Sequence, residues 1–486
     1  MDVANKPAPW VSWLAGRRLF WLLLGLNGLA TLAVAASAFP VASGDHYTYL
    51  GYADGLLHGR YSYWYFYPDY IPDTFRNPGY PLFLGLLKGL GLGEAGIRVV
   101  QVGLYAATIG LVLQLARRSE APGSWLVRNL FLVLLLPNVQ LAYFSALIFP
   151  EGPVGFLLAA YAVVALTWPV GSWRRTVGLA LLAGLVFQCR PVFILFPLGQ
   201  VALDFWLTRP RRAFAWGQAA TFLLLYGATM LPYAAWNYRH HGVFKPTSLE
   251  GGAGVMQVGF WALRMPGYHE TRYWGNQMGD EVVRFADSAQ VPGYIAAFNH
   301  EWDIIDAQCR PLLTARDRHY LPLMRRDHGL LFPTYSTAYT QRREQLLMQA
   351  NLADIRREPG YYLQTRLYTL VRLWVTGVQV NAWRAATTPV ARLKVLYPAL
   401  VSGLTFLVAL LGIAWALVRS RWLRAQPTWW LALALVAYFG LVHLPFAIQA
   451  RYTVPVRPWL LLATALALAA WLQRRALAGA QATARR

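Results

Sequence analysis

Asp45 stands directly after a charge-free apolar run, so the chain leaves a membrane and at once presents a carboxylate. A carboxylate at that level can serve as general base on a hydroxyl, provided it stays ionised and is held in place. It can equally cap a helix, since Ser43-Gly44-Asp45 precedes a helix-like run. Arg76 is the one strong cation between residues 61 and 87, and the turn Asn77-Pro78-Gly79 behind it sets its direction. A guanidinium binds phosphate in a bidentate fashion. Further cations follow at Arg190, at Arg239 with His240, and at Arg451 in Ala450-Arg451-Tyr452-Thr453-Val454-Pro455. Singly, each is as well read as an anchor for lipid headgroups. All of them on one membrane face point to an anionic ligand, because a lipid-linked phosphate leaving group needs such charge as its bond to a sugar breaks.

Glu151, set between Pro150 and Gly152-Pro153, is a second acid. It could face Asp45 and bind an acceptor or a divalent metal, or it could be a loop carboxylate in water. The aromatic patch from Tyr61 to Tyr70 offers faces for stacking on sugars, although interfacial Tyr and Trp belts are common. His443, inside an apolar run, reads as a hydrogen-bonded helix–helix contact. One acid, several guanidiniums and many aromatic faces at a membrane surface suit sugar chemistry on a lipid carrier.

The elements that must position these residues follow from composition. The 486 residues are 57% hydrophobic and only 14% charged, where soluble domains carry about 25% charged residues. A helical span needs roughly 20 apolar residues. The windows 19–44, 99–116, 129–150, 152–173, 213–238, 395–418, 425–450 and 458–473 meet or approach that length. Two shorter runs, 176–189 and 191–208, meet at Arg190-Pro191, and an ionisable residue at such a depth is a functional signal. The pattern predicts an all-α polytopic membrane protein of about ten transmembrane helices. Interfacial helices are expected around 46–59 and 79–90 in the first outer loop, with a C-proximal outer domain.

The net charge of +22 does not indicate nucleic acid. Arg17/Arg18, Arg117/Arg118, Arg174/Arg175, Arg209/Arg211/Arg212, Arg419/Arg421/Arg424 and Arg474/Arg475 all sit at ends of apolar runs. That is the positive-inside pattern, which places these ends and both termini in the cytoplasm and the candidate residues outside. Anionic membrane lipids are the natural partners of this basic balance. The first apolar run reads as a retained anchor. Cys189 and Cys309 lie in unlike surroundings and predict no disulfide. Three parts are expected: 1–238, a catalytic transmembrane module with its outer loop at 43–94; 239–390, an outer soluble region; and 391–486, the last helices with a basic tail.

In order and spacing, three stretches resemble the GT-C membrane glycosyltransferases, nearest the protein O-mannosyltransferase and lipid A aminoarabinose transferase group. The first is the Asp45 loop with Arg76-Asn77-Pro78-Gly79-Tyr80-Pro81. The second is Leu231-Pro232-Tyr233-Ala234-Ala235-Trp236-Asn237-Tyr238-Arg239, running on to Ser248 and Gly251-Gly252. The third is Glu358-Pro359-Gly360-Tyr361-Tyr362 with Arg451-Tyr452-Thr453-Val454-Pro455. The resemblance implies a GT-C fold, a polyprenyl-phosphate sugar donor (undecaprenyl phosphate in a bacterial inner membrane) and inverting transfer on the periplasmic face. It implies Asp45 as base, Arg76 near the donor phosphate and Glu151 as second acid; Arg190, Arg239 and Arg451 are expected to join Arg76 at the phosphate from their charge and shared membrane face. His46, Tyr49, Asn77, Tyr80, Asn237, His240 and Tyr452, which neighbour these charges, are expected to line the substrates. Asn77-Pro78 departs from the group's double proline, and a single acid stands at Asp45 where some members have a pair. The acceptor (lipid, glycan or protein), the sugar and any divalent metal therefore stay open; no other cofactor is implied. A ligase or polymerase of lipid-linked glycans, or a polyprenyl-lipid transporter, would use a similar cationic face.

Overall fold

The computed structural model describes residues 9–38, 44–120, 123–208, 215–261, 291–328, 334–376, 383, 385–446 and 448–484. The regular elements among the described residues are all helices, joined by loops, with no strand among them. The expected basic loop around Arg209/Arg211/Arg212 and the stretch 262–290 of the outer region lie outside the described residues.

The chain opens with α1 (Pro9–Leu14) and α2 (Arg17–Ala38). Leu22, Leu26, Leu29 and Leu32 are exposed along α2. Such a leucine stripe is intelligible only against lipid, since soluble monomers rarely present so continuous an apolar surface. α3 (Gly44–Leu57) and α4 (Gly79–Gly89) pack on each other, close to the pair expected in the first outer loop. α5 (Glu94–Arg118) returns beside α2, where Arg98 Nη1 donates to the Ala38 carbonyl at 3.0 Å. α6 (Leu126–Leu135) and α7 (Gln140–Ala146) form one apolar segment bent by 71°. Pro137, which lacks an N–H, breaks the ladder there. The carbonyls left over are taken by side chains: Asn138 Nδ2 donates to Leu134 O at 2.7 Å and the Tyr397 hydroxyl to Pro137 O at 2.7 Å.

α8 (Glu151–Thr167) is followed by α9 (Trp173–Cys189), a short 3₁₀ turn at Pro191–Leu195 and α10 (Phe196–Leu207). α11 (Trp216–Ala228) and α12 (Leu231–His241) run on as one apolar span. The stretch expected as an outer region contains α13 (Gly252–Trp261), α14 (Val291–Cys309), α15 (Ala315–His328), α16 (Thr337–Arg357) and α17 (Pro359–Trp374). α18 (Pro389–Arg419), α19 (Pro427–His443) and α20 (Arg457–Ala484) complete the bundle. α20 is its axis: Trp459 and Leu461–Ala467 are buried on every side, as expected of a helix that is apolar all round. It packs on α5, α6, α18 and α19.

Among the described residues four helices, Arg17–Ala38, Glu94–Arg118, Trp216–His241 and Pro389–Arg419, are long and apolar enough to cross a membrane, and the bent pair would make a fifth. Glu151–Thr167, Pro191–Trp206 and Pro427–His443 are shorter apolar helices. The expected count of about ten crossings therefore does not rest on helix length alone. At 1.5 Å per residue a 17-residue helix spans about 25 Å against a core of about 30 Å, so short helices must end inside protein. Several of them end at the candidate site.

The basic helix ends gather at one end of the bundle. Asn129 Nδ2 donates to Leu14 O at 2.7 Å and Gly16 O at 3.0 Å, and Arg474 Nη1 to Arg419 O at 3.1 Å. The loops carrying Asp45, Arg76, Glu151, Arg190 and Arg451 close the opposite end. Gly79 joins two of them. A Cβ built there would lie 2.5 Å from the Gln188 carbonyl carbon and 2.7 Å from the Cys189 nitrogen, which are backbone atoms. Gly79→Ala must therefore push α4 off the end of α9. It is expected to destabilise the fold by about 1–3 kcal/mol, read as a lowered melting temperature in detergent. Arg190 should shift with it, because it directly follows Cys189.

Candidate active site

A cavity of about 350 Å³ opens where these loops meet, lined by Asp45, Tyr49, Phe75, Arg76, Glu151, Cys189, Arg190, Val255, His443, Gln449, Arg451 and Tyr452 among others. Asp45 sits in the first turn of α3, where the helix N-terminus favours a negative charge. Its two oxygens are taken by different guanidiniums, one by Arg76 Nη2 and the other by Arg451 Nη2. Burial alone would push the Asp45 carboxyl up; Arg76 and Arg451 outweigh that and hold it well below the usual carboxylate range.

Arg451 comes from the short 3₁₀ turn Ala450–Thr453. Its Nε donates to Gln449 Oε1 at 2.6 Å and lies 3.9 Å from Glu151 Oε1. Glu151, in the first turn of α8, accepts from Arg190 Nη2 at 3.0 Å. Arg190 caps α9 with an extended backbone, and its guanidinium lies over the Tyr452 ring, 4.9 Å from the centroid. The Tyr452 ring in turn meets His443, centroids 5.5 Å apart. The contacts thus form a chain: Arg76, Asp45, Arg451, Glu151, Arg190, Tyr452, His443. Three guanidiniums face two carboxylates, leaving one positive charge over.

The Arg76 turn is clamped from behind. Its carbonyl accepts from the Tyr61 hydroxyl at 2.6 Å and the Tyr233 hydroxyl at 3.0 Å. The preceding Phe75 N–H donates to Asp73 Oδ1 at 2.9 Å and to the Tyr52 hydroxyl at 3.2 Å. Three tyrosines and a buried aspartate therefore fix where the guanidinium leaves the backbone. Each hydroxyl bond contributes about 1 kcal/mol. The double variant Tyr61→Phe/Tyr233→Phe is expected to weaken phosphate binding in the cavity severalfold while circular dichroism shows unchanged helicity. The Arg451 turn is pinned in a similar way by buried arginines. Arg457 Nε donates to Thr453 Oγ1 at 2.7 Å and its Nη2 to Trp374 O at 2.8 Å, while Arg366 holds the Leu444 and Gly259 carbonyls.

The cavity brings together Asp45, Arg76, Arg190, Arg451, Glu151, Tyr49 and Tyr452, and leaves the other expected residues outside its lining. Arg239 is exposed: it lies two positions past buried Asn237 on α12, and two helical steps of about 100° turn it to the opposite face. Asn237 Nδ2 donates to Lys245 O at 2.6 Å and Thr247 O at 3.1 Å, which folds the following loop back on the helix. Asn77 serves the same loop, donating to Pro246 O and accepting from Ser248 N, each at 3.2 Å. His240 packs its ring against Trp236 and Tyr70, 4.8 and 5.5 Å between centroids. The buried Tyr80 hydroxyl donates to Gln101 Oε1 at 2.7 Å. His46 faces Glu94 at 3.1 Å and anchors α3 on α5. These polar side chains are occupied with backbone and core.

His443, expected only as a hydrogen-bonded helix–helix contact, lines the cavity and bonds within its own helix to the Phe439 carbonyl, and Gln449, Phe75, Cys189 and Val255 line it without having been marked as site residues. Phase on α19 brings His443 in, and only Gln449, two residues before Arg451, had a signal in its spacing. Among the described residues no three His, Cys, Asp or Glu side chains converge as ligands. Both carboxylates of the lining are already paired with guanidiniums, so this donor set does not fit a divalent metal. It suits an anion instead. Cys189 and Cys309 are both free thiols.

No family model matches the chain, and no curated protein matches it. Among solved structures the chain is similar to ArnT from Cupriavidus metallidurans bound to undecaprenyl phosphate, with 14% identity over 93% of this chain and 77% of that one and a TM-score of 0.34.

Proposed function

We propose that the protein is an integral-membrane glycosyltransferase that moves a sugar from a polyprenyl-phosphate donor to an acceptor hydroxyl on the outer face of the membrane. The observation that carries this reading is the Asp45 carboxylate held between Arg76 and Arg451 in the wall of one cavity. Arg76, Arg451 and Arg190 bind the donor phosphate. The acceptor oxygen attacks the anomeric carbon from the side opposite the phosphate, and its proton passes to Asp45. The bond between the anomeric carbon and the phosphate oxygen breaks with its electron pair on the phosphate, so configuration inverts. The guanidiniums stabilise the charge that gathers on the leaving phosphate. Glu151 keeps Arg190 and Arg451 aimed at it.

The single excess positive charge matches a monophosphate diester, which carries one negative charge. A diphosphate-linked donor, as a glycan ligase or polymerase would use, brings more charge than this lining neutralises. The basic helix ends at the far end of the bundle support a cytoplasmic side there and a periplasmic site here. Because Asp45 is tied up by the two guanidiniums, the donor phosphate has a further task. By drawing Arg76 and Arg451 onto itself it frees the carboxylate to accept a proton.

The test is transfer by purified protein in nanodiscs, with radiolabelled polyprenyl-phosphate hexoses and pentoses as donors and an envelope extract of lipid, glycan and protein as acceptor. Label is expected to move into the extract from at least one donor. Lipid crossing a bilayer with no transfer from any donor would replace this reading with a transporter.

A further inference from the structure

Two acceptor atoms of the cavity have no part in the chemistry above. Glu151 is fully buried; its Oε1 takes Arg190, whereas its Oε2 has no hydrogen-bond partner. A buried carboxylate oxygen without a donor costs free energy and is rare unless a ligand supplies one. His443 lines the same cavity, and its Nδ1 lies 2.9 Å from the Phe439 carbonyl. A carbonyl only accepts, so Nδ1 carries the proton, and in the neutral ring Nε2 keeps its lone pair. Tyr452 and Arg190 link the two residues.

We propose that Glu151 Oε2 and His443 Nε2 form an acceptor-only subsite for hydrogen-bond donors on the transferred sugar, hydroxyl or ammonium. This rests on the transferase reading and extends it to substrate choice. A phosphate has only acceptors to offer and is repelled by both atoms. The guanidiniums that hold Glu151, Arg190 at 3.0 Å and Arg451 at 3.9 Å, are those assigned to the phosphate. A group one contact further along is therefore the sugar that the phosphate carries, rather than the acceptor. The negative charge of Glu151 adds a preference for an amino sugar over its hydroxyl counterpart.

The experiment measures Kd in nanodiscs for polyprenyl phosphate, polyprenyl-phosphate glucose and the matching amino-sugar lipid. Wild-type protein is expected to bind the sugar-bearing lipids about tenfold more tightly than bare polyprenyl phosphate, the worth of one good additional contact. His443→Phe keeps the ring packing on Phe439 and Tyr452, removes the lone pair, and is expected to erase most of that preference while leaving bare-lipid Kd within about twofold. His443→Gln, which retains an acceptor oxygen, should restore part of it. Glu151→Gln should lose the preference for the amino sugar, read as the ratio of the two sugar-lipid Kd values within that variant, because Glu151 also aims Arg190 and Arg451 and its loss weakens all three lipids. Equal weakening of all three lipids by His443→Phe would mean a structural role and overturn the proposal. So would a preference unchanged in every variant, or an effect confined to the acceptor KM. Binding of none of the three lipids by the wild type would instead overturn the transferase reading beneath it.

Discussion

Asp45→Asn is expected to lower kcat by about 10²–10⁴, the usual worth of a positioned general base, and to leave the protein folded. Asparagine can still accept from one guanidinium through its amide oxygen, so the loop around α3 keeps a tether. The informative readout is donor binding. Removing the carboxylate's charge releases Arg76 and Arg451 from their present partner, and both become available to phosphate. Bare polyprenyl phosphate should therefore bind severalfold more tightly to Asp45→Asn than to the wild type, even as transfer collapses. A residue that merely held the loop together would give weaker binding with the lost turnover. Transfer at wild-type rate would remove Asp45 from the base role.

The second large effect is at Arg451. Arg451→Gln removes one of the three guanidiniums proposed to bind the donor phosphate and is expected to cost about 10²–10³ in kcat/KM, as for loss of a charge-stabilising donor. It also changes the pH profile. Asp45 sits low because two guanidiniums outweigh the effect of burial. With one gone, burial counts for more and the carboxyl pKa rises. The ionised base is then lost as pH falls through the new, higher value. The variant should show an acid limb in kcat/KM at a pH where the wild type, whose carboxylate is still ionised, is flat. A matching comparison within the wild type is available, since kcat reports the donor-bound enzyme. If phosphate draws the guanidiniums away, the acid limb of kcat lies at higher pH than that of kcat/KM. Coincident limbs would mean that the donor does not relieve the ion cluster.

Charge in an apolar chain is expensive, and for that reason Asp45, Arg76, Glu151, Arg190 and Arg451 stood out in the sequence. Proline and charge likewise marked the break at Arg190-Pro191, and alternation of apolar runs with arginine pairs marked the helices themselves, but the expected run 129–150 passed straight through Pro137, where the fold bends by 71°. Helix phase was less legible. Arg239 shares a membrane face with the other cations, yet α12 turns it outward, because two residues along a helix is more than half a revolution. Asn77 and Asn237 look like polar substrate contacts in a one-dimensional reading. In the fold they satisfy backbone of the loop at 245–248, a demand that exists only once the two segments meet. His443 carried the opposite ambiguity. A histidine in an apolar run gives no sign of whether it faces a neighbour or a cavity, and its packing against Phe439 and Tyr452 shows that it does both.

The bond between Asp45 and Arg451 joins residues 406 apart in the chain. A ribosome adding about 5–20 residues per second needs roughly 20–80 s to travel that distance. In the proposed topology the loop at 43–94 is already across the membrane throughout that interval, while the cation that closes its ion cluster has not been made. Nascent Asp45 must wait hydrated at the surface, with Arg76 as its nearer neighbour. The cavity can shut only after the last two helices insert. A chain stalled or cut anywhere before Arg451 keeps an open, wet Asp45 loop, which gives a protease a way to tell unfinished molecules from finished ones.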